Sequence, residues 1–340
     1  SVEMGVGGYK TAFRAEYSHG EGGPVIGILC EYDALRGLGH GCGHHMQGPA
    51  CLGAAAALKN LDTDRPFRIV VYGTPAEETL GSKCDMIKKG CFHDLDVAFM
   101  MHGGPNTCTD VRCLAQRSFH VTFHGKRAHA ALAPDKGRSA FDALLAAFQG
   151  IEFLREHVPD DVRMHYTVAK LPGPANVVPA EAEGEFAIRS FSRKTLEGVC
   201  ERFLDIIKGA SLIAGVDYEI KEGTFFFNKI PVLKLNELLM DNARLAGAPQ
   251  LAPPREKTGS TDFGNVMYEI PGSCIRVAFV PEGTPSHSQE FVDAGKTEAA
   301  HNCILYGAKA IAGASLDLIM TDGLMEQVKA EFAENKKKNQ

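Results

Sequence analysis

The apolar positions of this chain change their spacing twice. At 24–30 (Pro-Val-Ile-Gly-Ile-Leu-Cys), 67–72 (Phe-Arg-Ile-Val-Val-Tyr) and 96–101 (Asp-Val-Ala-Phe-Met-Met) they run almost without interruption. Such runs predict short strands buried on both faces, as in a sheet with helices on each side. The Ala-rich stretch 48–61 and the segment 83–89 supply helices between them. Another continuous run at 275–280, followed by an Ala-rich helix over 297–314, predicts that the far end of the chain returns to the same α/β sheet.

The middle of the chain follows a different rule. Segments 118–123, 163–170 and 181–191 alternate, 218–226 is extended, and 138–157 and 194–213 carry helical periodicity. That order, β-α-β-β-α-β, is the signature of a ferredoxin-like sandwich. The chain therefore divides into a first part at 1–114, an inserted domain at 115–228 and a second part at 229–340, with hinges near 113–116 and 228–231. No internal repeat is present, and the terminal Glu-Asn-Lys-Lys-Lys-Asn-Gln reads as a solvated helix end and frayed tail.

Composition removes several function classes. With 36 Lys+Arg against 42 Asp+Glu, the net charge of -6 offers no footprint for nucleic acid and no polybasic patch for a membrane surface. The apolar runs fall short of the roughly 18 residues a membrane span needs. Ten cysteines are scattered without a C-x-x-C pair, which points to a reducing compartment and a cytoplasmic location. The chain opens at Ser1 rather than Met, so an upstream segment is expected.

In open α/β sheets ligands bind beyond the carboxyl ends of the strands, so chemistry is sought there. After the first strand come Glu-Tyr-Asp33-Ala-Leu and Gly-His-Gly-Cys42-Gly-His44-His45. Gly-Thr-Pro-Ala-Glu77-Glu78 follows the second, His102-Gly-Gly-Pro the third, and Pro-Glu-Gly-Thr-Pro-Ser-His287 the late strand. Singly, each has a plain explanation: a surface histidine tract, two solvated acids, rim histidines. Together, Cys42, His44, Glu78, His102 and His287 exceed the four ligands of a closed structural zinc site and leave Glu77 without a structural task. A two-metal hydrolytic centre accommodates them, with one ligand bridging the ions and a bridging water whose pKa drops from ~15.7 toward ~7. Glu77 would then be the general base. Thiolate and imidazoles favour Zn, with Mn or Co compatible. Asp33 and His45 are candidates to orient the imidazoles by hydrogen bonds. Cys42 and His44, two apart in a Gly-rich loop, are expected to lean toward one point from an extended backbone.

Glu-Tyr-Asp-Ala-Leu, Gly-His-Gly-Cys-Gly-His, Thr-Pro-Ala-Glu-Glu and the later Gly-Ser-Thr-Asp-Phe-Gly-Asn-Val resemble the dinuclear metallopeptidase 20 family, which includes aminoacylase, carboxypeptidase G and plant auxin-conjugate amidohydrolases. The resemblance spans essentially the whole chain and is nearest to subfamily D, in particular to dipeptidases that cleave β-alanyl-lysine and related basic dipeptides. It implies an α/β catalytic domain with a mixed sheet, and an inserted ferredoxin-like lid that mediates homodimerisation. It also implies metal binding by the five residues above and the base at Glu77. Two positions depart from the pattern: His45 stands where many members carry Asp or Asn, and Arg36 where Pro is usual.

The resemblance assigns three residues of the inserted domain. His129, in Gly-Lys-Arg-Ala-His-Ala-Ala, matches the lid histidine that stabilises the tetrahedral oxyanion, in many members from the opposite subunit. Asn176 and Arg189 match positions that hold the substrate carboxylate. Ser260, Thr261 and Asp262 form an expected substrate-side loop, whose plainer reading is a helix N-cap before Phe263. The expectation is a metal-dependent amidohydrolase acting on a dipeptide or N-acyl amino acid. The alternative is a non-catalytic, metal-stabilised binding protein on the same scaffold.

Overall fold

The apolar runs become parallel strands at the centre of one mixed sheet. A computed structural model describes residues 1–339, and the chain divides into two compact units, Ser1–Cys113 with Lys229–Gln340, and Leu114–Asn228. In chain order the first unit opens with β1 (Val2–Met4), β2 (Phe13–His19), β3 (Val25–Glu31), α1 (Gln47–Lys59), β4 (Phe67–Thr74), α2 (Ser82–Lys88), β5 (Val97–Gly104) and β6 (Cys108–Thr109). β3 pairs in parallel with β4 on one side and β5 on the other, with Ile28 opposite both Val71 and Phe99. β2 joins β4 antiparallel. It is not among the expected strands, although Phe13, Ala15 and Tyr17 alternate with Arg14, Glu16 and Ser18 as a half-buried strand requires.

The second unit holds β7 (Ala115–His124), β8 (Ala128–His129), α3 (Ala140–Arg155), β9 (Arg163–Lys170), β10 (Val177–Val178), β11 (Glu181–Ser190), α4 (Arg193–Ala214) and β12 (Asp217–Phe226). Its four-stranded antiparallel sheet has the order β12-β7-β11-β9, and α3 and α4 pack on it as the ferredoxin-like order requires. Alternation decides which face is covered: Phe119, Val121 and Phe123 of β7 and Phe186 and Ile188 of β11 enter the core beneath the helices. Ser139 and Ser192 cap the two helices by accepting from Asp142 N and Thr195 N, and α4 stops at Gly215 with φ 63.

The chain then returns through α5 (Leu233–Leu245), α6 (Phe263–Glu269), β13 (Gly272–Ala278), α7 (Gln289–Ala294), α8 (Glu298–Met320) and α9 (Leu324–Asn339). β13 pairs in parallel with β5, completing the order β1-β2-β4-β3-β5-β13-β6. α2 and α6 pack over one apolar cluster that includes Met86, Met100, Phe263 and Val266, while α8 lies against α1, α5, β5 and β13. By length and composition α8 could cross a membrane, which corrects the expectation that no stretch is long enough. Its Ala300, Cys303, Ala310, Ile311 and Ala314 are fully buried, so here it is a core helix. The tail is the solvated helix end expected: α9 buries Met325, Val328 and Phe332 at helical spacing and then continues helically to Asn339 with no buried residue after Phe332.

Phe203 of α4 is 1% exposed and its ring lies 4.7 Å from Phe119 and 5.1 Å from Phe186. Phe203→Ala is expected to destabilise the second unit by about 3–5 kcal/mol in urea unfolding. A loss below about 1 kcal/mol would contradict this account of its core.

Candidate metal centre

Two loops reach the site by close backbone approach. Beyond Glu31, Leu35 and Gly39 close a short turn, and Gly43, at φ 74, starts the 3-10 turn His44–Met46 that leads into α1. His44 thus projects from a helical turn, not from the extended loop expected of the Gly-rich motif. His287 N donates to Gly41 O at 3.0 Å. A Cβ on Gly41 would lie 3.2 Å from His287 Cα and 2.8 Å from the Leu38 side chain, so a larger residue there would press on both loops. His287 (φ 64) and Ala76 (φ 61), which precedes Glu77, both hold left-handed backbone that L residues rarely adopt.

These loops bring the predicted donors together. Atoms of Cys42, His44 and His102 lie within 4.8 Å of one another, as do those of Cys42, Glu78 and His287, and of His44, Glu77 and Glu78. Glu78 Oε1 is buried without a hydrogen bond, 4.0 Å from His44 Nε2 and 3.9 Å from His287 Nε2. Cys42 Sγ is 2.8 Å from His287 Nε2. Asp33 joins two donors: its Oδ1 is 3.3 Å from His44 Nδ1, and its Oδ2 accepts from Glu78 N at 2.9 Å. His102 Nδ1 is 2.7 Å from Gly103 O, so a proton donated there leaves Nε2 with its lone pair.

Divalent cations fit this donor set. A buried carboxylate oxygen without a proton donor, flanked by imidazoles, lacks only positive charge. Burial, then Glu78, Glu77 and Glu31, push the Cys42 thiol well up, so its thiolate form requires a cation beside it. Burial opposes the charged ring of His44, but Glu31 and then Asp33 outweigh it and raise its pKa to about 9. Burial, then Arg276, push His102 down to about 3, which keeps it a neutral ligand.

Beneath the donors lies a buried acid cluster, of which sequence reasoning missed Glu31 and its partner Lys83. Carboxylate oxygens of Glu31, Glu77 and Asp262 lie within 4.8 Å of one another. Lys83, with a side-chain exposure of 0%, donates from Nζ to Glu31 Oε1 at 2.7 Å and Asp262 Oδ1 at 2.6 Å, and from its backbone N to Asp262 Oδ2 at 3.1 Å. Gln47 Nε2 donates to Glu31 Oε2 at 2.8 Å. Every oxygen of Glu31 and Asp262 is therefore engaged. Burial opposes the charge of Glu31, yet Lys83 and then His44 bring it to about 2. Glu77, which no such donor meets, is raised to about 9 by burial, then by Glu31 and Asp262.

Two expectations need correction. Asp262 does not face substrate: it is fully buried on Lys83. His45 orients no ligand, because its Nε2 is 2.9 Å from Gly295 O. Within the same loop as Asp262, Ser260 Oγ is buried without a partner, and Thr261 Oγ1 accepts from Phe263 N at 3.2 Å, a local turn contact, since the N-cap of α6 is Asp262 and makes no side-chain cap bond.

In the second unit, His129 of β8 pairs with Val177 of β10, and Ala130 N donates to Asn176 O at 3.1 Å. The exposed Asn176 thus anchors the His129 segment through its backbone. Ala131 N and Leu132 N both donate to His129 Nδ1 at 3.2 Å. The neutral ring therefore carries its proton on Nε2, as a donor. Arg189 is half-buried on β11, and its Nε is without a hydrogen-bond partner.

The profile of Peptidase family M20/M25/M40 matches residues 30–312. The chain belongs to this family. Among its M20 relatives, the Xaa-Arg dipeptidase of Mus musculus is 33% identical over 338 residues, covering 96% of this chain and 78% of that protein. The p-aminobenzoyl-glutamate hydrolase of Escherichia coli strain K12 supplies another relative: one of its component chains is 29% identical over 412 residues, covering 97% and 84%. The fold is shared with a dinuclear metal-binding M20 peptidase from Bacillus subtilis, with TM-score 0.69 at 19% identity over 92% of this chain and 86% of that one.

For this M20 chain, Lys83→Met should cost about 3–5 kcal/mol in denaturant unfolding, because Glu31 and Asp262 would remain buried without their cation. Unfolding equal to the wild type would show that Lys83 does not hold the cluster.

Proposed function

We propose that this metal-dependent amidohydrolase cleaves the amide of a dipeptide or N-acyl amino acid bearing a free carboxylate, with Cys42, His44, Glu78, His102 and His287 holding two divalent ions. The observation that carries the assignment is the state of the three clustered acids: Lys83 and Gln47 occupy Glu31 and Asp262, and Glu77 alone stays free beside the donors. When bound, the ions polarise the scissile carbonyl and acidify the attacking water. With cations held beside it, Glu77 is favoured in its ionised form against the burial and neighbouring acids that raise its pKa, and the carboxylate then takes the proton from that water and delivers it to the leaving amine. His129 donates from Nε2 to the oxyanion, its tautomer fixed by the two backbone amides on Nδ1. Arg189 and Asn176 receive the carboxylate, a role suited to a guanidinium whose Nε has no internal partner.

The thiol among the donors supports Zn as the native metal, with Mn or Co as substitutes. The ten cysteines are all free, which supports a reducing, cytoplasmic setting. A homodimer through the inserted unit is supported by its edge strand β9 and by α3, which expose Tyr166, Leu145 and Phe153. A non-catalytic binding protein would have no use for a carboxylate kept free beside the metal donors.

Glu77→Gln should retain two ions per chain by metal analysis while kcat on a dipeptide panel falls by about 10² to 10⁴. Near-normal turnover would remove Glu77 as the base. His129→Ala should lower kcat by about 10² to 10³. Mixing it with Glu77→Gln should restore activity if His129 serves the partner's centre, whereas mixtures as inactive as either variant place it in its own.

A further inference from the structure

A second charged cluster, opposite in sign to the acids, flanks the metal donors. Asp110, just past β6, is almost fully buried and is shared by three cations. Arg255 Nε donates to Asp110 Oδ1 at 2.6 Å, and Arg276 Nε and Lys229 Nζ each lie 3.5 Å from Oδ2. One carboxylate cannot balance two guanidiniums, so at least one positive charge at this place is unmatched. Arg255 Nη2 is buried without a hydrogen-bond partner, and Arg276 Nε, also without a hydrogen bond, has only the 3.5 Å ion pair to Asp110. The backbone holds the cluster rigidly, with Arg255 N donating to Thr109 O and Val111 N to Arg255 O, each at 2.8 Å.

Its position ties it to the reaction. Arg276 of β13 stands opposite His102 of β5, and its Nη1 is 3.0 Å from His102 Nδ1. The excess charge is therefore in contact with a metal donor. It is also within reach of solutes, since the side chains of Arg276 and Arg255 are 22% and 39% exposed. A partly exposed guanidinium pair with more positive charge than its shared carboxylate balances is a carboxylate receptor, and it repels a cationic side chain.

We propose that Arg276 and Arg255 form an anion subsite that selects substrates with an acidic side chain, a carboxylate additional to the free one. This inference rests on the amidohydrolase reading and narrows its substrate class, away from the basic dipeptides to which family resemblance points.

The test uses the full chain loaded with Zn or Mn and two matched pairs. Ala-Glu against Ala-Gln places the acid on the leaving residue, and Glu-Ala against Gln-Ala places it on the acyl residue. In at least one pair the acidic member should be favoured by about tenfold or more in kcat/KM, because the neutral amide leaves the guanidiniums unpaired. That preference should weaken as salt is raised. In the double variant Arg255→Gln, Arg276→Gln the ratio should fall to within about twofold of unity, a change that general loss of activity does not produce. Neutral members favoured in both pairs, Ala-Lys or Ala-Arg turned over faster than Ala-Glu, or a ratio untouched by the double variant would each overturn the proposal. Calorimetric Kd values for the same pairs with Glu77→Gln protein decide the subsite without turnover. If the wild type hydrolyses none of the peptides the amidohydrolase reading fails, while equal Kd values within each pair sink the anion subsite alone.

Discussion

Five carboxylates, those of Glu31, Asp33, Glu77, Glu78 and Asp262, crowd beyond the ends of β3 and β4, and Lys83 is the buried ammonium among them. That imbalance governs the rest of the site. Such a charge density is tolerable only where each acid has a donor or a cation, since an unpaired buried carboxylate costs several kcal/mol. Lys83 and Gln47 meet the need at the bottom of the cluster, His44 and the Glu78 amide meet it at Asp33, Glu77 meets none and is pushed by burial, Glu31 and Asp262 toward its neutral form, and what remains, Glu78 and the Cys42 thiol, matches divalent ions. The same requirement explains why the helix carrying Lys83 starts where it does: the Lys83 backbone N–H, one of the open donors of the first turn of α2, goes to Asp262.

Much of the fold is written in hydrophobic spacing. Strands buried on both faces keep continuous apolar runs, so β3, β4, β5 and β13 can be read directly, and alternation discloses the ferredoxin-like unit. β2 is a different case, for Phe13, Ala15 and Tyr17 alternate with Arg14, Glu16 and Ser18, the pattern of a half-buried strand, without the continuous apolar run that marks its neighbours. The five donors are legible because cysteine, histidine and paired acids recur at predicted strand ends. Lys83 is not, since a lysine at a helix start reads as a solvated charge until its partners, 52 and 179 positions away, are known. For the same reason Asp262 reads as part of a substrate-side loop or a helix N-cap: burial of a charge is a property of the tertiary pairing and leaves no periodic trace.

The two units use different means to fix a side chain. In the first, long-range ion pairs and backbone approach place the donors, with Gly41 and the left-handed His287 and Ala76 absorbing the strain. In the second, His129 is set by its own loop, whose amides choose its tautomer. A residue positioned in this way owes its tautomer to its own segment and to no contact elsewhere in the chain.

The parallel pairing of β13 with β5 across the whole inserted unit shapes how the molecule comes into being. On the ribosome the ferredoxin-like segment emerges complete, with its own core, while β5 still waits as an open sheet edge and His287 has yet to be translated. The nascent polypeptide therefore carries an unguarded strand for the time taken to make the segment from Leu114 to Ala278, a window in which chaperone capture or edge-to-edge association competes with native closure.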